Sequence, residues 1–292
     1  MHKSGFVNII GNPNVGKSTL MNVLLGEKLS IVTSKAQTTR HRILGIVNTE
    51  EYQIVYSDTP GILKPHYKMQ EAMMGFVKTA IDDADMILYV TDVIETIDKN
   101  QEYIDKVNIS KVPVILVINK IDLCKNEGLP QLIETWKGLM PRAEIVPVSA
   151  LEKFNVENLF NGIIELLPEG PAYFAKDALT DRSERFFVSE IIREKVFLNY
   201  KKEIPYSVEV LVELFKEDDN IIHIKAVIIV SRDSQKGIII GKGGLALKKT
   251  GTRARLDMEK FFGKKVFLEL FVKVEKDWRD SNRLLKEFGY NN

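Results

Sequence analysis

Residues 11–18 read Gly-Asn-Pro-Asn-Val-Gly-Lys-Ser. An apolar run at 6–10 precedes them, and a run with helical spacing at 19–25 follows. Glycines let successive backbone N–H groups point into one concavity, the helix N-terminus adds partial positive charge, and Lys17 supplies a full charge. The stretch therefore predicts a strand, a phosphate loop and a helix that bind a nucleoside triphosphate. The Ser18 hydroxyl would lie on the Mg²⁺ that bridges two of its phosphates.

Length and composition set the outer limits of the prediction. The chain has 292 residues, 45% of them hydrophobic, which is enough for about two ordinary domains. No apolar run approaches the ~18 residues of a membrane span, and residues 1–5 lead into a strand without a signal-peptide core, so we expect a cytoplasmic protein. Cys124 is the single cysteine, which excludes an internal disulfide and a thiolate zinc site.

Charge is distributed unevenly along the chain, although the net charge is only +1. Residues 1–170 hold 17 basic and 21 acidic side chains, a balance of −4, and residues 171–292 hold 24 and 19, a balance of +5. Between residues 236 and 265 nine basic side chains face only two acidic ones. This local excess predicts a polyanionic partner for the second half.

Short β-branched runs alternate with segments of helical period up to about residue 168. The runs predict strands at 43–47, 53–57, 86–90, 114–118 and 145–148, and the intervening segments predict helices near 69–81, 101–110, 131–139 and 156–167. This alternation indicates an α/β fold with a mostly parallel sheet covered on both sides. A nucleotide would then bind at the carboxyl ends of the strands.

Polar motifs occur at these predicted strand ends. Asp58-Thr59-Pro60-Gly61 follows one strand, where Asp58 can reach Mg²⁺ through a water and the Gly61 N–H can approach the γ-phosphate. Asn119-Lys120-Ile121-Asp122 follows another, and a carboxylate at Asp122 can accept from guanine N1–H and N2–H₂, which adenine lacks. Ser149-Ala150-Leu151 ends the last strand and suits a backbone contact with guanine O6. Each motif alone is a weak signal, but together they predict a guanine-nucleotide site.

With these motifs in order, the chain resembles the translation-factor-like GTPases. The resemblance implies GTP hydrolysis and a switch threonine within 37–40 that closes over Mg²⁺; we favour Thr38 narrowly over Thr39. Small GTPases carry a water-orienting glutamine where this chain has Ile62, so hydrolysis should be slow unless another group orders the water. By the same resemblance, Asn14 suggests stimulation by K⁺. A role of Asn14 limited to satisfying the loop backbone is equally open.

A second domain is predicted beyond a linker. Residues 1–168 form the GTPase domain, 169–182 are rich in proline and glycine and form the linker, and 183–292 form an α+β domain. Its predicted order is a helix to residue 199, strands at 206–215 and 221–230, two helices and a strand at 266–274.

Gly241-Lys242-Gly243-Gly244 fits the GxxG loop of KH domains, in which close backbone approach clamps single-stranded RNA. The helix that follows carries Lys248, Lys249, Arg253 and Arg255, which predicts a KH domain of the bacterial type (type II) that binds RNA. These cations could instead form an ordinary solvated helix face. The run 238–240 is expected to be core on one side and groove wall on the other. The predicted RNA-binding residues are Ile240, Gly241, Lys242, Gly243, Gly244, Lys248, Lys249 and Arg253.

A GTPase domain fused to a KH domain resembles the Era family of bacterial ribosome-assembly GTPases over essentially the whole chain. Stretches 35–42, 181–186 and 191–195 also look like this family. The resemblance implies binding of 16S ribosomal RNA near its 3′ end, assistance in maturation of the 30S small subunit, and peripheral contact with the inner face of the cell membrane. We expect a monomer. A P-loop ATP-dependent kinase and a ribosome-associated RNA-binding protein with an inactive nucleotide site are the alternatives.

The site residues follow from the motifs and the resemblance. Those predicted to be catalytic are Lys17, Thr38, Asp58 and Gly61, and those predicted to hold Mg²⁺ are Ser18, Thr38 and Asp58. Those predicted to bind GTP are Gly11, Asn12, Pro13, Asn14, Val15, Gly16, Lys17, Ser18, Thr19, Asp58, Thr59, Pro60, Gly61, Ile62, Asn119, Lys120, Asp122, Ser149, Ala150 and Leu151.

Overall fold

The chain divides into two units, each with its own hydrophobic core. The computed structural model describes residues 1–96, 100–124 and 128–290. One unit comprises residues 1–65 and 70–181, and the other comprises residues 66–69 and, among the described residues, 182–290. The predicted second domain extends to residue 292, and its last two residues lie outside the described part. Among the described residues, no helix combines the length and apolar character that crossing a membrane requires.

The first unit contains a six-stranded sheet in the order β2-β3-β1-β4-β5-β6. All neighbouring strands are parallel except β2, which pairs antiparallel with β3. Its strands are β1 (Lys3–Gly11), β2 (Ile43–Asn48), β3 (Tyr52–Asp58), β4 (Met86–Asp92), β5 (Val114–Asn119) and β6 (Glu144–Pro147). Its helices are α1 (Lys17–Leu25), α2 (Lys68–Asp82), α3 (Gln101–Ile109), α4 (Leu129–Leu139) and α5 (Val156–Leu166). The predicted strands and helices are confirmed, with ends that differ by at most two residues except that β1 begins three residues before the apolar run 6–10.

Burial explains why these strands appear as continuous apolar runs. Every residue of β4 is buried, as are all but the first of β5, because helices cover both faces of a parallel sheet. In the sheet, β1 lies between β3 on one side and β4 on the other. The strand order reverses at this point, and a crevice opens there at the carboxyl ends of the strands. Gly11, Asp58 and Asn119 end β1, β3 and β5 at that edge.

The second unit contains the three-stranded sheet β7-β8-β9 with helices packed on one face. Its order is α6 (Glu184–Asn199), β7 (Glu209–Glu217), β8 (Ile221–Val230), α7 (Asp233–Ile240), α8 (Leu245–Phe262) and β9 (Lys265–Val274), followed by α9 (Asn282–Glu287). β7 is antiparallel and β9 parallel to β8. The predicted order of a KH domain is confirmed.

Two local features of the second unit have clear causes in the sequence. The strand expected from residue 206 begins at Glu209, because Ile204–Ser207 forms a 3₁₀ turn that contains Pro205. The run 238–240 ends helix α7, where Ile239 is fully buried and Ile238 is half exposed, as a helical period requires.

Of the predicted linker, 169–182, residues 169–181 group with the first unit. The Ile46 N–H donates to Leu179 O at 2.9 Å, and Thr180 Oγ1 donates to Leu44 O at 2.6 Å. The Gln53 side chain bonds the backbone of residues 173 and 174. The segment thus covers part of the edge strand β2 before the second unit begins at Arg182.

Candidate functional site

The phosphate loop between β1 and α1 is fixed to the end of β5. Asn119 Nδ2 donates to Val15 O at 2.8 Å, and a Cβ added at Gly16 would lie 2.2 Å from that same nitrogen. Gly16 also has φ +95°, which favours glycine. The loop that receives phosphate is therefore held in register with a residue of the predicted guanine motif.

Lys17 is buried in the phosphate loop. Its Nζ donates to Gly11 O at 3.0 Å and to Asn12 O at 2.7 Å. Burial lowers the pKa of Lys17 to about 8, and the carboxylates of Asp58 and Glu95 oppose that shift. A phosphate oxygen would give this ammonium the anionic partner that its carbonyl contacts lack.

Three oxygen-bearing side chains converge beside Lys17. Ser18 Oγ donates to Asp58 Oδ2 at 2.6 Å, and Thr39 Oγ1 lies 2.8 Å from Ser18 Oγ and 3.4 Å from Asp58 Oδ2. Asp58 is fully buried, which raises its pKa, and its Oδ1 has no hydrogen-bond partner among the described residues. A buried carboxylate with a free oxygen beside two hydroxyls fits Mg²⁺, which prefers oxygen ligands.

Thr38, the preferred switch threonine, lies outside this cluster. Its Oγ1 donates to Lys35 O at 2.7 Å and lies 2.6 Å from Thr33 Oγ1. The hydroxyl is thus satisfied within its own loop, whereas that of Thr39 faces Ser18 and Asp58. The structure therefore places Thr39, and not the preferred Thr38, beside Ser18 and Asp58.

The predicted guanine site is assembled from two loops. Asp122 Oδ1 accepts from Ser149 Oγ at 2.5 Å, and Asn119 Oδ1 accepts from the Ala150 N–H at 3.0 Å. Lys120 Nζ crosses back to Asn14 O at 2.5 Å and Asp92 Oδ2 at 2.6 Å. These bonds join the Asn119–Asp122 motif to the Ser149–Leu151 motif, and the free Asp122 oxygen can accept from a base.

Most of the predicted GTP-binding residues line one cleft of about 450 Å³. Those on its wall are Pro13, Asn14, Gly16, Lys17, Ser18, Thr19, Thr59, Gly61, Asn119, Lys120, Asp122, Ala150 and Leu151. The others, which do not line the cleft, are Gly11, Asn12, Val15, Asp58, Pro60, Ile62 and Ser149. Leu123, next to the Asn119–Asp122 motif, also lines the cleft without having been predicted. So do five residues that precede the switch segment, namely Ile31, Val32, Thr33, Ser34 and Lys35. Their position just before the switch threonines is the signal that could have identified them.

The γ-phosphate end of the cleft is tightly packed. A Cβ added at Gly61 would lie 2.7 Å from the backbone of Pro13, so only glycine fits there. The Ile62 N–H donates to Gly11 O at 3.1 Å, and its side chain is buried. Because Ile62 has no polar side-chain atom, it cannot orient an attacking water.

The GxxG loop of the second unit has the backbone that its glycines predict. Gly241, Gly243 and Gly244 have φ of +71°, +59° and +76°. A Cβ added at Gly241 would lie 2.6 Å from Ala246 Cβ, whereas Gly243 and Gly244 face open space. The loop therefore presents bare backbone to a ligand at the start of α8.

A groove of about 340 Å³ runs from this loop between α8 and β9. Lys248, Gly251 and Arg255, which are three and four positions apart and therefore share one face of α8, line it, and β9 adds Leu268 and Leu270. Lys249 and Arg253 do not line the groove, because residues one and five positions after Lys248 lie on a different side of the helix. Arg253 instead bonds Asn199 of α6. Of the predicted RNA-binding residues, Gly244 and Lys248 line this groove, and its arginine is Arg255 and not Arg253.

Family comparisons match each unit separately. A 50S ribosome-binding GTPase model matches residues 6–120, and a KH-domain model matches residues 203–279. GTPase Era of Syntrophus aciditrophicus is 49% identical over 100% of this chain and 96% of its own length. GTPase Era of Staphylococcus haemolyticus is 47% identical over 99% and 97%.

Solved structures give the same assignment. The crystal structure of Era with MgGDPNP and nucleotides 1506–1542 of 16S ribosomal RNA superposes with a TM-score of 0.95, at 41% identity over 100% of both chains. A variant of Aquifex aeolicus Era bound to GDP and AlF4⁻ gives 0.95 at 42% identity, over 99% of this chain and 100% of that one. With its nucleotide cleft, its KH groove and relatives of nearly half-identical sequence, the chain belongs to the Era family of GTPases.

Proposed function

We propose that this GTPase is a nucleotide-controlled RNA-binding protein that recognises the 3′ region of 16S ribosomal RNA and assists maturation of the small ribosomal subunit. The observation that carries the proposal is the groove beside Gly241–Gly244, with its exposed glycines, its Lys248 and Arg255 cations and its Leu268 and Leu270 floor. The apolar floor suits unstacked bases, and the cations at the rim suit the phosphates of the same RNA strand. Family membership disfavours the kinase alternative.

The nucleotide would be held with Mg²⁺ by the residues already described. Ser18 and Thr39 would supply hydroxyl oxygens to the ion, and the Asp58 carboxylate would hold it directly or through a water. The ion would neutralise charge that develops on the transferring phosphoryl group. The buried Lys17 would add a second cation, and the Gly61 N–H would meet the γ-phosphate where Pro13 leaves room only for glycine.

RNA recognition is tested by titrating GDPNP·Mg with and without an RNA of the 1506–1542 sequence. If nucleotide and RNA favour the same state, RNA tightens nucleotide binding. The charge-reversal pair Lys242→Asp and Lys248→Asp should abolish RNA binding and this effect, since both cations are exposed, Lys242 in the GxxG loop and Lys248 on the groove wall. Lys216→Asp on β7 is the matched control. RNA affinity that the pair leaves unchanged would refute the groove as the RNA site.

K⁺ is proposed as an activator at Asn14. Asn14 is exposed in the cleft wall with φ +65°, and its side chain makes no hydrogen bond to the described part of the loop. That leaves its oxygen available to a cation beside the phosphates, a place where an ion can offset transition-state charge.

The K⁺ proposal predicts faster hydrolysis in KCl than in NaCl at equal ionic strength. Asn14→Gly keeps the left-handed backbone and removes the side-chain oxygen, so it should equalise the two salts. Multiple-turnover GTP hydrolysis, measured without RNA, provides the comparison. Equal rates of the unaltered protein in the two salts would reject the role of K⁺.

Monomeric state, a cytoplasmic location and contact with the inner membrane face are further parts of the proposal that rest on the family resemblance. Sedimentation of the purified protein tests the first. Flotation with anionic vesicles tests the last.

A further inference from the structure

The side chain of Asn12 turns away from the nucleotide cleft, although it is the second residue of the phosphate loop. It is 6% exposed and is not part of the cleft wall. Its Nδ2 donates to Glu95 Oε2 at 2.7 Å, and its Oδ1 accepts from Asn100 Nδ2. Both partners come from the segment between β4 and α3, so a distant part of the chain holds this position of the loop.

Glu95 is itself held in place. Its Oε1 accepts from Thr91 Oγ1, and the backbone N–H of Glu95 donates to Asp92 Oδ1 at 2.8 Å. Burial raises the pKa of Glu95, which the bonds from Thr91 and Asn12 oppose. A carboxylate that is partly buried and accepts two side-chain hydrogen bonds is a rigid acceptor for Asn12.

Asn12 connects this acceptor to the reacting end of the cleft. Its carbonyl accepts from Lys17 Nζ at 2.7 Å, and the next residue, Pro13, packs so closely on Gly61 that no Cβ fits between them. A shift of Asn12 would therefore displace both the Lys17 ammonium and the Pro13–Gly61 contact, beside which the Gly61 N–H would meet the γ-phosphate. GDP lacks that phosphate, so the shift should affect GTP more than GDP.

We infer that Glu95 is a positioning residue for GTP hydrolysis. It acts by holding the Asn12 side chain and, through it, the contact between Pro13 and Gly61. This inference rests on the GTPase activity of the family and not on RNA binding. All measurements are therefore made without RNA, and a failure of the proposed RNA switch would leave them unaffected.

The test compares Glu95→Ala with Glu95→Gln in the full-length protein. Loss of a hydrogen bond to a charged group corresponds to about a tenfold effect. We expect Glu95→Ala to lower single-turnover hydrolysis at saturating GTP·Mg about tenfold, while GDP affinity changes much less. Glu95→Gln can still accept from Asn12 and should restore most of the rate. Glu102→Ala, on the exposed start of α3, is the matched control.

Asn12→Ala breaks the same bond from the other side and serves if Glu95→Ala does not fold. It should lower the rate similarly, and the double variant should be no slower than either single one, because both changes remove one interaction. The inference would be overturned if Glu95→Ala hydrolysed GTP at the wild-type rate, or if its affinity for GDP fell by the same factor as its hydrolysis rate. It would also be overturned if Glu95→Gln failed to restore the rate, or if the effects of the two single variants added in the double variant.

Discussion

At the scale of single residues, buried ionisable groups dominate the nucleotide site. Lys17 donates to two backbone carbonyls, and Asp58 Oδ1 accepts from no described group. Burial shifts both pKa values toward the neutral forms. A bound polyphosphate with Mg²⁺ supplies the opposite charges, so ligand binding and protonation must be linked.

This linkage predicts that GTP affinity falls above about pH 8. Lys17 is charged below its pKa of about 8 and neutral above it, whereas the bound phosphates require the ammonium. Each pH unit above this value should therefore weaken binding by up to about tenfold. Titration of a fluorescent GTP analogue between pH 7 and 9 measures the effect.

The control for this prediction is Lys17→Arg. The guanidinium stays charged throughout this range, so its affinity, even if weaker overall, should be nearly independent of pH. Parallel losses in both proteins would show that another group causes the dependence.

At the scale of elements, the segment 169–181 acts as an added edge of the first unit. Asn48 Nδ2 donates to Ala178 O at 3.0 Å, and Ser4 Oγ donates to Pro171 O at 2.6 Å, in addition to the bonds at Ile46 and Gln53. Tyr173 packs edge-on against Phe6 at 5.0 Å between ring centroids. The bonds to the Ile46 N–H and the Leu44 carbonyl cover backbone groups that the edge strand β2 would otherwise expose, and the other contacts fix the segment to β1, β3 and the Asn48 side chain.

A fragment of residues 1–181 should therefore be more stable than a fragment of residues 1–168. Several net hydrogen bonds of about 1 kcal/mol each, with the aromatic contact, predict a difference of a few kcal/mol in the free energy of unfolding. Urea denaturation of the two fragments, each with bound GDP, measures it. Identical midpoints would mean that the segment contributes nothing to the first unit.

At the scale of the whole molecule, the proposed function assigns one ligand to each of the two units of the chain. If a single conformational equilibrium connects them, the factor by which RNA tightens GDPNP must equal the factor by which GDPNP tightens RNA. Typical coupling energies of 1–3 kcal/mol correspond to about 5- to 150-fold. Reciprocal titrations in one buffer, at fixed salt, give both factors.

The salt must be fixed because RNA affinity depends steeply on ionic strength. Lys242→Asp with Lys248→Asp again provides the control, since it should remove both factors together. Factors that differ beyond error would contradict a single two-state switch.

The sequence by itself determined the parts of this protein that depend on local order along the chain. The phosphate loop, the strand-end motifs at Asp58 and Asn119, and the Gly241–Gly244 loop each combine a periodic element with a short polar or glycine-rich turn. Both features are encoded by neighbouring residues, so the fold class and the guanine-nucleotide site could be predicted.

Only the tertiary structure decided which side chains meet across the chain. It placed Thr39 rather than Thr38 beside Asp58, and Arg255 rather than Arg253 in the groove between α8 and β9. It also joined Glu95 to Asn12, a pair separated by 83 positions. Adjacent residues of like chemistry differ only in the direction of their side chains, and that direction is set by packing against segments that are remote in sequence.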